Sequence, residues 1–154
     1  MVQGITRTGL LQGLSLKLTE WFGTEFLVVA LALLAGIGAL SSLLANIPVV
    51  AVSLVMVKGY LVMAEVVPET ALAAGFSNWP AATLPVFIAM MFGATLGGNA
   101  TLIGASANVV AAGICSSQGR RVNFARFMRF GLPITICQLA VSALYVLALS
   151  WLKG

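Results

Sequence analysis

Two asparagines, Asn46 and Asn99, stand deep inside long uncharged runs of this chain. A carboxamide placed among apolar residues is costly enough to call for a reason. Ser41, Ser42 and Pro48 surround the first, while Gly97, Gly98 and Thr101 surround the second, with Ser106 and Asn108 just beyond. None of these is a general acid or base. The chain has no histidine, and no carboxylate falls within either run, so hydrolytic, zinc-dependent or general-base chemistry has few candidates and an enzyme is not expected. What the set does offer is oxygen atoms and places where a helix breaks. Two half-helices are expected to start there, one after Asn46 with Pro48 in its first turn, the other after the Gly97-Gly98 pair. The free N–H groups at such a start, with the positive end of the helix dipole, hold an anion without a charged side chain. Carbonyl oxygens freed by the same breaks can ligate sodium, with Asn46, Asn99, Thr101 or Ser41 adding side-chain oxygens. Asn46 and Asn99 rank first, then Gly97, Gly98, Thr101, Ser41 and Pro48. Ser42 and Ser106 rank lower because hydroxyls in membrane helices commonly bond to their own helix. Asn108 divides evenly between site support and helix packing.

The elements that must position these residues belong in a membrane. Sixty per cent of the residues are hydrophobic and 8% charged, against about a quarter charged in a soluble domain. Residues 26–57, 70–119 and 130–152 carry no charge at all, which makes three membrane units. The net charge of +4 is no nucleic-acid footprint, because Arg120, Arg121, Arg126 and Arg129 concentrate half of the basic residues in one loop beside a span. That is how positive charge fixes topology on the cytoplasmic side. Cys115 and Cys137 lie in apolar segments and suggest packing, not a disulfide framework. No removable signal peptide is evident at the start, so the hydrophobic segments themselves are expected to direct insertion.

Read in order, the chain predicts an all-α integral membrane fold over 1–154. Leu10, Leu11, Leu14, Leu18, Trp21 and Phe22 recur at helical spacing and predict an interfacial helix over 8–22, either a horizontal arm or a plain amphipathic flank. Residues 25–62 are too many for one span of about 20 and too few for two, so a re-entrant helical hairpin is expected, with its tip at Asn46. A single tilted helix kinked at Pro48 is the alternative. The segment 62–83 has Glu65 and Glu69 and not a single Lys or Arg, and reads as an outside loop with Trp79 at the headgroups. Residues 84–116 predict a broken transmembrane helix. Gly93 and Gly97, four apart, could instead serve close helix packing. A cytoplasmic loop or interfacial helix follows over 120–130, then a plain span over 132–152 with Pro133 at its first turn.

The run Gly97-Gly98-Asn99-Ala100-Thr101-Leu102-Ile103-Gly104-Ala105-Ser106-Ala107-Asn108-Val109-Val110 resembles the carboxyl-terminal signature of the citrate transporter-like and arsenite permease-like superfamily, above all its P protein-like subgroup. Asn46-Ile47-Pro48, within residues 41–49, resembles that group's hairpin tip, and 124–133 its final loop. The resemblance implies an arm helix, hairpin, broken helix and last span of the second of two inverted repeats. By the same analogy the first repeat and the dimerising scaffold are missing, whether as a separate chain or lost, and the chain is not expected to transport alone. It further implies a small anion of the dicarboxylate, citrate or oxyanion class coupled to sodium or protons, with no other cofactor. Related tips carry an acidic residue before the asparagine where this chain has Ala45, so both coupling ions stay open.

A partial secondary transporter in the plasma or inner membrane is therefore the leading expectation. An anion channel component, or a non-transporting membrane subunit or truncation product, is the competing one. Topology is open to direct measurement. Single cysteines placed within 120–129 should react with impermeant reagents only from the cytoplasmic side, and those within 65–78 and at the carboxyl end only from outside. The reverse pattern overturns the orientation.

Overall fold

The computed structural model describes residues 25–153 together with Gly13, Leu16, Lys17 and Glu20, so most of the arm helix expected over 8–22 lies outside the described residues. Among the described residues the chain is all helix and turn, with no strand. The expected all-α membrane fold holds. Helix α1, Phe26–Ser41, is a run of Leu, Ala, Val, Ile and Gly with no polar residue before Ser41. At its end Ser42 N–H bonds to Gly38 O, and Leu43 and Leu44 N–H both turn back to Leu40 O. Ala45 then leaves in an extended conformation and α2, Asn46–Met63, begins. Pro48 sits in that first turn, where the missing N–H is one no carbonyl needs.

A loop returns the chain from α2 to α3, Leu84–Gly97. Trp79, set at the headgroups by sequence reading, is half-buried and organises the loop. Its ring meets Phe76 and Phe87 edge-on at 4.9 and 5.0 Å, its Nε1–H donates to Phe76 O at 3.1 Å, and the Lys58 ammonium lies 5.5 Å from the ring centre. Lys58 also donates to Ala73 O at 3.4 Å. One cation from α2 thus holds both halves of the loop, through a carbonyl and through a π face.

After α3 comes a 3-10 turn, Gly98–Ala100, an extended interruption, and α4, Ser106–Ser117. Helix α4 stops at Gly119, whose φ of 78° is the left-handed conformation glycine tolerates. Arg120 N–H bonds to Cys115 O and Gly119 N–H to Ser116 O, the paired bonds of a Schellman ending. Asn123 opens α5, Phe124–Lys153, accepting the Arg126 N–H on its side-chain oxygen at 2.8 Å, an N-cap bond. The helix expected to be divided between 120–130 and 132–152 is thus one element of 30 residues with Pro133 inside it. Proline there removes only the bond to the carbonyl of Arg129, a residue exposed at the helix's early turns, so the local loss does not end the helix. At about 45 Å it outruns the ~30 Å hydrocarbon core.

Among the described residues three segments are long and apolar enough to cross a membrane: Asn46–Met63, Ala81–Ala100 and Phe124–Leu152. With α1 at 16 residues and α4 at 12, about 24 and 18 Å long, neither of these two alone spans the core. The fold is centred on α1 against α3. Val29, Ala30, Leu33, Leu34 and Ile37 are buried on one side and Val86, Ala89, Met90 and Ala94 on the other. Along this seam the backbones nearly touch. A β-carbon on Gly93 would lie 2.8 Å from Leu34 O, and one on Gly97 would collide with the Gly38 carbonyl and its Cα. Gly36, by contrast, has nothing within 4 Å of the corresponding position.

Alanine at either glycine gains the same helix propensity, about 1 kcal/mol, so comparing the two variants isolates the clash. Gly97→Ala should fall below Gly36→Ala by about 1–3 kcal/mol in stability, read as a lower midpoint of thermal unfolding in detergent. Equal midpoints would mean that α1 and α3 do not approach this closely.

Candidate functional site

Where α1 ends and α3 gives way, the hairpin tip and the broken helix meet. Ser41, fully buried, donates its hydroxyl proton to Ala94 O on α3 at 2.5 Å. That proton is spent, so the contact between Ser41 Oγ and the Asn46 amide at 2.7 Å runs the other way. The amide nitrogen is the atom that faces Ser41 Oγ, and it also lies 3.1 Å from Ala94 O and 3.2 Å from Gly104 O. The opposite orientation would press an amide oxygen against acceptors. A relay results, from Asn46 N–H to Ser41 Oγ and from Ser41 O–H to Ala94 O, tying both arms of the hairpin to α3.

A second bridge lies beside it. The Thr101 hydroxyl donates to Ser42 O across the gap and accepts the Gly104 N–H at 3.1 Å. Asn108, from α4, reaches back with its amide nitrogen to Gly98 O at 3.1 Å and Thr101 O at 3.0 Å. It therefore clamps the two sides of the break with the two protons of one group. Asn108, ranked low from sequence, has a clear structural task. Two glycines give the room: a β-carbon on Gly98 would stand 2.8 Å from the Asn46 amide, and one on Gly104 would stand 2.9 Å from Gly98 Cα.

The break is not where the glycines alone suggest. Gly97 and Gly98 keep helical angles, with φ −56°, ψ −36° and φ −60°, ψ −18°, and the chain becomes extended only at Thr101, φ −129°, ψ 160°. The half-helix expected to restart just after Gly97-Gly98 begins instead at Ser106, after an extended Ala105. The physical reason is the neighbour. Gly97 serves the close packing of α3 on α1 and Gly98 the approach of the Asn46 amide and Gly104, and the interruption falls where the Thr101 hydroxyl finds the Ser42 carbonyl.

Asn99 does not join Asn46. Its amide donates to Gln138 Oε1 on α5 at 3.1 Å, and with Asn108, Arg126 and Phe127 it lines a separate cleft of about 370 Å³. There α5 comes close to the 3-10 turn, since a β-carbon on Gly131 would lie 2.7 Å from Asn99 O. Ser42 Oγ bonds within its own helix end, to Ala39 O at 2.6 Å, as its low rank anticipates. Pro48 and Ser106 are exposed, each in the first turn of its helix. Thus Ser41, Asn46, Gly97, Gly98, Thr101 and Asn108 gather at one crossing, and Asn99, Pro48 and Ser106 stand around it. Gly38, Gly104 and Gln138 were missed from sequence. Gln138 had a signal: it is an uncharged carboxamide in an apolar run, the same criterion that picks out Asn46.

Among the described residues no cluster of His, Cys, Asp or Glu could hold a metal ion. The oxygens at the crossing are neutral ones, those of Ser42, Ala94, Gly98, Thr101 and Gly104, which suit a hard monovalent cation more than a transition metal. Neither α2 nor α4 carries a side-chain cap at its start, so the first N–H groups of each lack the side-chain acceptor such a start usually has. Neutral oxygens and open amides are thereby offered within one small region, with no formal charge in it.

Comparison with known proteins points the same way as this arrangement. Residues 1–153 match the family model described as Citrate transporter. The chain is 42% identical over 153 residues to an uncharacterized transporter of Synechocystis sp., covering 99% of this chain and 33% of that protein. It is 33% identical over 153 residues to an uncharacterized transporter of Mycobacterium bovis, covering 99% of this chain and 32% of that one. Against the P protein of Homo sapiens it is 39% identical over 122 residues, 79% of this chain and 13% of that protein. No solved structure matches. The chain spans about a third of the length of the first two of these relatives. With a match that runs through the hairpin, the crossing and the final helix alike, this multi-pass membrane chain belongs to the citrate transporter family.

Proposed function

We propose that the chain is the carboxyl-terminal portion of a secondary active transporter that moves a small anion of the dicarboxylate, citrate or oxyanion class, driven by sodium or protons. The observation that carries this reading is the meeting of the hairpin tip with the broken helix through Asn46, Ser41 and Thr101. The uncapped starts of α2 and α4 supply N–H groups for an anion, and the carbonyls of the crossing supply oxygens for the coupling cation. A second set of such elements, from the rest of the transporter, completes the site. The arginine-rich loop lies in the cytoplasm and the Glu65 loop outside.

Uptake measured in cells that also express the remainder of the transporter tests the assignment. Asn46→Ala should lower ion-driven uptake at least about tenfold, since it strips the tie between the tip and α3 and about 1–3 kcal/mol of satisfied polar contacts. Asn99→Ala, whose amide points to α5, should lower it less. Equal uptake by wild type and Asn46→Ala removes the crossing from the site. Flux that persists without any sodium or proton gradient turns the assignment to a channel.

A further inference from the structure

The cleft between the break and α5 is chemically unlike the crossing. Its walls are Val122, Phe127, Phe130, Gly131 and Ile134, and its polar groups are Asn99, Asn108 and the guanidinium of Arg126. Arg126 has no acidic partner among the described residues, and the four carboxylates of the chain, at 20, 25, 65 and 69, lie in other segments. Both Nδ2 protons of Asn108 are committed to Gly98 O and Thr101 O. Asn99 keeps one amide proton beyond its bond to Gln138. One permanent cation at the mouth of an otherwise apolar cleft suits a phosphate group attached to something apolar.

The outer face of α5 continues this pattern. Arg126, Phe130, Ile134, Cys137, Val141 and Leu144 follow one another at spacings of four, four, three, four and three, which places them on one stripe. Every one of them is exposed, Phe130 by 65%, Ile134 by 55% and Val141 by 66%. From Phe130 to Val141 the stripe rises about 16 Å, close to the ~15 Å of one leaflet's hydrocarbon. A small multiply charged anion would gain nothing from such a rail, whereas an acyl chain matches it in length and character.

We infer that this cleft is a binding site for an anionic phospholipid, its phosphate on Arg126 and one acyl chain along Phe130, Ile134 and Val141. A basic residue beside a gap between membrane helices is the general chemistry of anionic headgroup recognition. The lipid would touch the same Asn99 and Asn108 that brace the interrupted helix, so its loss would loosen the break from the α5 side. The affinity for lipid stands or falls apart from whether the chain transports anything.

A label on the stripe reads the occupant directly. The full chain carrying Cys115→Ser and a trifluoromethyl group on Cys137 is placed in phosphatidylcholine bilayers containing a small fraction of spin-labelled phosphatidylglycerol or, separately, spin-labelled phosphatidylcholine. Fluorine line broadening should be greater for phosphatidylglycerol by about fivefold, the preference one basic residue near the surface confers. Arg126→Gln should abolish that preference, while Arg126→Lys and Arg121→Gln keep it. Equal broadening by the two lipids in the unsubstituted stripe overturns the site, and so does a preference that survives Arg126→Gln. Loss of the preference in Arg121→Gln as well would reduce it to diffuse surface charge. Competition by millimolar citrate or inorganic phosphate would reassign the cleft to a free anion, and no broadening by either lipid would show the stripe covered by protein. Retention of the preference by Arg126→Lys separates loss of the site from loss of the fold.

Discussion

The contact between the backbones of α1 and α3 at Gly38 and Gly97 is the constraint from which the rest of the arrangement follows. A β-carbon on Gly97 has no room, because the Gly38 carbonyl and Cα occupy its place. Apolar helices in lipid gain little from mere hydrophobicity when they associate, so contact at this range, with its dense van der Waals packing, is a main source of their affinity. Having been brought so close, the end of α1 falls beside the end of α3. The tip that follows one and the interruption that follows the other are then neighbours, and Ser41 can reach Ala94 O while Thr101 reaches Ser42 O.

The polar side chains at the crossing answer the problem that this geometry creates. Interrupting a helix releases carbonyl and amide groups that, in an apolar medium, cost several kcal/mol each if left alone. Here Asn108 takes the carbonyls of Gly98 and Thr101, Thr101 takes that of Ser42, and the Asn46 amide lies against those of Ala94 and Gly104. Short side chains from different elements thus replace the bonds a continuous helix would have made. Among the described residues one buried side-chain oxygen, Thr135 Oγ1, is left without a partner. Asparagine is the right residue for this work because its two amide protons can serve two carbonyls at once.

The hairpin and the interruption were legible in the sequence for the same reason. An apolar run that breaks off for Asn46 and Pro48, or for Gly98 and Asn99, is too polar there for an unbroken span. The positions of the breaks within a few residues were not legible. Gly97 and Gly98 have low helix propensity, yet α1 uses the small size of the first and the Asn46 amide and Gly104 that of the second, so tertiary packing overrides the local preference. Asn99 looked equivalent to Asn46 because both are carboxamides in apolar runs, but its orientation is set by Gln138 on a helix 39 positions away. Pro133 marked a boundary by local rule, whereas α5 runs through it. The contacts of Trp79 with Phe76, Phe87 and Lys58 were not legible either, because they depend on how the loop folds back.

The crossing also requires a cover. Helix α4 has no buried residue, and Leu43, Leu44, Ile47 and Ile103 are all exposed around the tip and the break. Apolar side chains such as these can face lipid or protein with equal comfort. The extended backbone at Ala45, Thr101 and Ala105 cannot, since interrupted backbone at membrane depth is tolerated only inside protein or beside water. Relatives about three times as long as this chain have the length to cover such a surface. A cation entering there would meet carbonyls already paired by Asn46, Thr101 and Asn108, so each contact with them would replace an internal bond instead of filling an empty valence. Binding would then be close to an exchange of equals. A solute held so lightly can be released again, which a carrier needs more than it needs affinity.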